Sequence, residues 1–199
     1  MTNTDFLNAI KTDVIKDMAN TGILASLTAA QALIESGSGG SKLALPPNNN
    51  IFGIKGSYNG QSVIMKTKEF INGKYVVVNA AFKKYPSWAE SIADHSAMFL
   101  RLSRYANLRG EKDYKKACKN VQADGYATAP AYADTLISTI EKHKLYLWDQ
   151  AELPLDLDLE EAINIIADRV IEGRFGYGHE QRAAMIYQMV RDKVNELLS

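Results

Sequence analysis

Cysteine is almost absent from this chain: Cys118 is the only one. No internal disulfide can form, and metal sites built on cysteine clusters are excluded. Histidine is scarce too. His95, His143 and His179 stand far apart, with no spacing of the H-E-x-x-H kind, so no metal is expected. Neither a Walker-A loop nor a G-x-G-x-x-G fingerprint is present, and no nucleotide or other organic cofactor is expected. No apolar run is long enough to span a bilayer, so membrane insertion is not expected. The opening "MTNTDFLNAIKTDVIKDMAN" lacks a basic stretch followed by an apolar one, and no secretory signal is read there. The formal net charge is zero, and no nucleic-acid partner is expected.

What remains is an ordinary globular composition. Of 199 residues, 46% are hydrophobic and 23% charged, enough for one substantial core and a small second domain. The charge is unevenly divided. Residues 1–150 carry 18 Lys/Arg against 13 Asp/Glu, and residues 151–199 carry 5 against 10. A mildly basic first part suits an anionic polymer through its summed field. The change of sign near residue 150 suggests two units.

Periodicity gives the elements. Phe6, Ile10, Val14 and Met18 recur every four residues, and Ile23, Leu24, Leu27, Ala30 and Ile34 form a second helical face. "SGSGGSKLALPPNNN" is rich in breakers and reads as loop. Residues 62–82 place Asn72-Gly73 between β-prone runs, a strong hairpin signal. Trp88, Ile92, His95, Phe99 and Leu102 return to helical spacing, and "DYKKACKNVQ" and "AYADTLISTIEKHKLY" read as two more helices. Residues 1–149 are therefore expected to be α+β, mostly helical with a small β-hairpin lobe. The acidic "DQAELPLDLDL" supplies a linker over 150–157. Two helical stretches over 158–199 give a small helical C-terminal domain. Trp88, His95 and Cys118 read as packing groups, and Lys83-Lys84 and "DYKK" as solvated faces able to attract anionic polymers.

Four segments carry a resemblance: "AQALIESGSGGSKLA", "NNNIFGIKG", "TKEFINGKYVVVNAAFKKYPSWAESIADHSAMFL" and "ADGYATAPAYADTLISTIEKHKL". In this order they resemble the glucosaminidase family of peptidoglycan hydrolases (glycoside hydrolase family 73-like), which includes autolysins, flagellar-assembly muramidases and phage endolysins. The resemblance implies a lysozyme-like fold. It also implies an endo-β-N-acetylglucosaminidase that cuts bacterial peptidoglycan. A muramidase acting on the other glycosidic bond and a non-catalytic wall-binding or assembly protein are the alternatives.

The resemblance implies roles for particular residues. Glu35, between "ALI" and "SGSG", takes the place of the catalytic acid, which needs an apolar backing to raise its pKa. Glu69 takes the place of the second carboxylate, a base or electrostatic stabiliser. On its residues alone it reads equally as a charged guard on an exposed strand. Tyr126 takes the place of a tyrosine that orients the sugar's own acetamido group when the substrate assists. Sugar subsites are expected at Asn50, Phe52 and Gly53, and at Tyr132.

"IADRVIEGRFGYGHEQR" and "VRDKVNELL" resemble a wall-binding repeat of phage lysins, with Gly176, Gly178 and Arg182 as its binding candidates. Phe175 and Tyr177 depart from that repeat, and an oligomerisation role for the segment is the alternative. Together with the absent leader, this resemblance implies a phage or prophage endolysin, held in the host cytoplasm until a holin releases it to the wall.

Overall fold

Helix α1, Asn3–Thr21, begins at a capping box. The Thr2 hydroxyl accepts the Asp5 N–H, and the Asp5 carboxylate accepts the Thr2 N–H, both at 3.1 Å. Its four-residue apolar repeat (Phe6, Ile10, Val14, Met18) is buried. Gly22, at φ +75°, ends it by donating to the Met18 carbonyl. These coordinates are a computed structural model, and the structure describes residues 1–71 and 73–150. They lie within one compact unit, Met1–Ala151.

Helix α2, Ala25–Ser36, is enclosed along nearly its whole length, from Ala25 to Leu33. Its small residues (Ala25, Ser26, Thr28, Ala29, Ala30, Ala32) let neighbouring elements approach closely from all sides. Leu24 offers the helix no side-chain cap. The cap comes from Asp149 instead, which accepts the Ser26 N–H at 2.8 Å and the Ser26 hydroxyl at 2.6 Å. A carboxylate at a helix N-terminus also suits the helix dipole.

Strands β1, Ser62–Ile71, and β2, Lys74–Lys83, pair antiparallel from Ser62↔Lys83 to Ile71↔Lys74. That register leaves a two-residue connection, with Gly73 at φ +77° as the turn chemistry requires. Residues 54–56 bond to the root of β2 through Lys83 N–H to Ile54 (2.9 Å) and Gly56 N–H to Ala81 (2.9 Å).

Helix α3, Trp88–Arg101, is capped by Ser87 and buries Ile92, His95, Ser96 and Phe99. Helix α4, Tyr114–Ala123, is capped by Asp113, and α5, Tyr132–Lys142, packs against α4 and α2. Cys118 is fully buried as a small apolar residue, and burial pushes its thiol up to about 12.

Two details differ from the sequence reading. The last helix was expected to run to Tyr146, but it stops at Lys142. Lys144 takes a left-handed backbone (φ +53°), and a 3-10 turn over Leu145–Gln150 follows. The break lets Leu145 bury completely and brings Asp149 to α2. Lys83 was expected on a solvated face. It is instead largely enclosed and ion-paired at 2.7 Å to Asp94, which α3 presents to it.

The stretch read as linker begins too early: Asp149 and Gln150 belong to the 3-10 turn, and Asp149 is held by its bonds to Ser26. The rest of the linker and the C-terminal domain, with Gly176, Gly178 and Arg182, lie outside the described residues. No helix among the described residues is long and apolar enough to cross a membrane.

Candidate active site

Glu35 occupies the last turn of α2. The helix stops because Gly37 (φ +57°) and Ser38 (φ +59°) both turn left-handed, and Ser38 N–H reaches back to the Leu33 carbonyl at 2.9 Å. Ser36 holds the turn: its hydroxyl donates to Ala32 O at 2.6 Å and accepts Gly39 N–H at 2.7 Å. Gly39 must be glycine. A Cβ there would lie 2.7 Å from Phe6 Cδ2 and 3.2 Å from the Trp88 ring, so only a bare backbone fits over the α1–α3 contact. The small residues after Glu35 thus end the helix abruptly and leave the carboxylate at an open edge.

The carboxylate is not isolated. Tyr132, at the start of α5, donates its hydroxyl to Glu35 Oε1 at 2.9 Å. The same hydroxyl accepts from Gln31 Nε2 at 3.2 Å. Gln31 lies one turn before Glu35 on α2 and is completely buried. By surface area Glu35 is exposed, yet the protein crowding one side of its carboxyl costs hydration. That desolvation raises its pKa above the ordinary carboxylate value, and the Tyr132 hydrogen bond opposes the rise only in part. No Lys or Arg among the described residues pairs with it.

Tyr126 follows α4 and faces the same group. Its ring lies 5.9 Å from that of Tyr132, nearly parallel at 21°. It also meets the edges of His95 and Phe99, each at 5.7 Å. Burial, then Tyr132, then Glu35 push its hydroxyl far above the usual phenol pKa, so it stays protonated. Tyr132 is raised for the same leading reason. Both are therefore neutral hydroxyls able to donate.

Beneath them, His95 is fully buried, stacked on Phe52 at 3.9 Å and edge-on to Phe99 at 4.6 Å. Burial lowers its pKa to about 3, so it stays a neutral ring and carries no proton at neutral pH.

The loop residues proposed for sugar divide. Asn50 is buried, and its amide serves the main chain: Nδ2 donates to Ile54 O (2.9 Å) and Lys83 O (2.8 Å), and Oδ1 accepts Ile54 N–H (3.0 Å). Phe52 is buried in the stack on His95. Both set the loop's shape. Gly53, at φ +65°, borders open space.

Glu69 lies in β1 opposite Val76, two pairs from the turn. It is seven residues from the Ser62↔Lys83 root, or about 23 Å along the strand.

The structure therefore groups Glu35, Tyr126 and Tyr132, and adds Gln31, which the sequence reading passed over. Its signal was present: a residue four before Glu35 on one helix shares its face. Chemically, the group offers a carboxyl biased toward its protonated form, beside open space, with two neutral phenols nearby.

A family model described as Glucosaminidase, mannosyl-glycoprotein endo-beta-N-acetylglucosaminidase, matches residues 11–145. The exo-glucosaminidase LytG of Bacillus subtilis is 39% identical over 147 residues, covering 71% of this chain and 52% of that protein. A probable N-acetylmuramidase of Lactococcus lactis is 33% identical, covering 73% of this chain and 35% of its own length. Among solved structures, the catalytic domain of the autolysin Auto from Listeria monocytogenes superposes with a TM-score of 0.70. It is 37% identical and covers 74% of this chain and 87% of that one. The chain thus spans about half, or less, of the curated relatives' length.

Proposed function

The chain belongs to the glucosaminidase family, and from that premise we propose that it is a glycoside hydrolase cutting the glycan strand of bacterial peptidoglycan, with Glu35 as general acid. One observation carries the reading. Glu35 is a carboxyl whose pKa is raised by desolvation, at the open end of a buried helix, with no Lys or Arg among the described residues paired to it. An acid for glycosidic oxygen needs that environment.

The chemistry runs as follows. The Glu35 proton passes to the leaving oxygen as the bond to the anomeric carbon breaks and positive charge spreads over that sugar. We favour the substrate's own acetamido oxygen as the group that bonds to the anomeric carbon. Tyr126 supports this, because its neutral hydroxyl lies in the Glu35 group, whereas Glu69 stands on a long hairpin joined to the body at its root. Water, deprotonated by the Glu35 carboxylate, then opens the cyclic intermediate. Tyr132 orients Glu35 and stabilises its ionised form between the two steps. Gly53 offers main chain to the sugar beside Phe52.

We assign the cut to the bond after N-acetylglucosamine, within the chain. Release of muramic-acid ends is the alternative, since relatives carry the names of both glucosaminidase and muramidase. The endolysin role, with cytoplasmic storage and holin-dependent release, and wall binding through Gly176, Gly178 and Arg182 belong to the same proposal and rest on the sequence alone.

The test is a zymogram on purified wall, followed by mass spectrometry of the digest. Glu35→Gln keeps the side chain's size but has no proton to give, and a rate loss of at least about 10²-fold is expected. Reducing-end N-acetylglucosamine in the wild-type digest supports the bond assignment, and reducing-end muramic acid reverses it. A mutant that clears the gel like wild type removes Glu35 from the mechanism.

A further inference from the structure

At the root of the hairpin the surface opens into a recess of about 430 Å³, a size typical of ligand-binding clefts. None of its lining residues belongs to the Glu35 group. Its walls are Pro46, Pro47 and Pro86 with the rings of Tyr58 and Tyr85. The two rings lie 4.7 Å apart. Both phenols are already engaged: Tyr58 donates to Glu90, and Tyr85 donates to Asp94 at 2.6 Å. The Asn49 amide is engaged too, donating to the Tyr85 and Pro86 carbonyls at 3.0 Å each. The walls are therefore tied together, and they present mainly apolar surface.

Lys84 is the cation of this recess. Its neighbour Lys83 is ion-paired to Asp94, but Lys84 makes no ion pair with any described residue. A cation at the edge of a tied apolar recess suits a small ligand with methyl groups and a carboxylate. Asn59 and Gln61 also line it, and their side-chain amides suit the amide groups of a peptide, while the prolines and the tyrosine rings offer apolar faces to its methyl groups.

The recess is also connected to the site. Pro47, in its wall, and Phe52, in the His95–Tyr126 stack, are five residues apart, so at most about 18 Å of chain separates them.

We propose that this recess binds the acidic, alanine-containing stem peptide carried by the wall glycan, with Lys84 pairing a peptide carboxylate and the proline and tyrosine walls taking the methyl groups. The proposal rests on the peptidoglycan reading above. It makes the enzyme sensitive to whether the strand still bears its peptides.

The test compares the full chain with Lys84→Gln and Lys84→Arg in two measurements. The first is calorimetric titration with an isolated stem tetrapeptide, which needs no catalysis. The second is kinetics on wall glycan oligomers, intact or stripped of peptide by an amidase. We expect Lys84→Gln to weaken peptide binding about tenfold and to raise KM for intact oligomers by a similar factor. Values of kcat, and of KM for stripped glycan, stay at wild type, and Lys84→Arg behaves like wild type. Equal losses on stripped and intact glycan assign the recess to sugar and overturn the proposal. Absent peptide binding, or binding that Lys84→Gln leaves unchanged, overturns it as well. A chain that binds the peptide but cleaves neither oligomer refutes the hydrolase reading and leaves the peptide site standing.

Discussion

Replacing Tyr132 by Phe removes one oxygen and two hydrogen bonds, and the two losses have separate readouts. The first is the bond to Glu35 Oε1 at 2.9 Å, which favours the ionised carboxylate. Without it the Glu35 pKa rises further. A general acid must be protonated to act, so the alkaline limb of the kcat/KM profile moves to higher pH in the mutant. The second loss falls on Gln31. Its Nε2 donates to the Tyr132 oxygen at 3.2 Å from a fully buried side chain. An orphaned buried donor costs about 1–3 kcal/mol, or roughly 2–10 °C in melting temperature for a unit of this size. The assay pairs a pH–rate series on solubilised wall with thermal unfolding. Turnover at the wild-type optimum falls as well, because Glu35 loses the partner that orients it. An alkaline limb that stays put or moves down refutes the role given to Tyr132. An unchanged melting temperature refutes the account of Gln31.

Two substitutions separate the routes for the second catalytic group. With substrate assistance, Tyr126→Phe lowers kcat more than Glu69→Gln does, and NMR of fresh product shows the retained anomer; an inverted anomer with the larger loss at Glu69 reverses the assignment. Asp17 gives a pH prediction from the core. It is 8% exposed and accepts from Ser96 Oγ at 2.5 Å, and burial raises its pKa to about 7 from an ordinary 3.8. A folded-state pKa above the unfolded one stabilises the fold below about pH 4 and loses that contribution as pH climbs to about 7. Asp17→Asn should therefore gain up to a few kcal/mol over wild type above pH 7 and little at pH 4; parallel melting curves across that range would contradict it. A chain ending at Gln150 is expected to cleave short soluble muropeptides but to lose affinity for whole walls in a pelleting assay. Equal pelleting counts against a wall-binding tail, and a dimer-to-monomer change on truncation favours oligomerisation.

The sequence alone determined whatever depends on neighbours a few residues away. The four-residue repeat from Phe6 to Met18, the reversal at Gly73 between the two strands and the helical spacing from Trp88 to Phe99 are local, because helix period and turn chemistry act over one or two turns. Glu35 at the end of its helix was legible for the same reason: the breakers that stop α2, Gly37 and Ser38, lie two and three residues after it. Partners distant in the chain were not legible. Tyr132 meets Glu35 across 97 residues, and Asp149 caps α2 from 123 residues beyond Ser26. Nothing local marks Tyr132 rather than Tyr126 as the residue that bonds the carboxylate. Asn50 and Phe52 carry side chains suited to binding sugar, but packing turned one toward main-chain carbonyls and the other onto a histidine. Lys83 and Lys84 look alike in sequence, and only the approach of α3, which brings Asp94, pairs one and leaves the other over the recess. Burial and pairing are properties of surfaces that meet only when the chain folds, so the tertiary structure alone decides which polar groups are spent on the fold and which remain for a ligand.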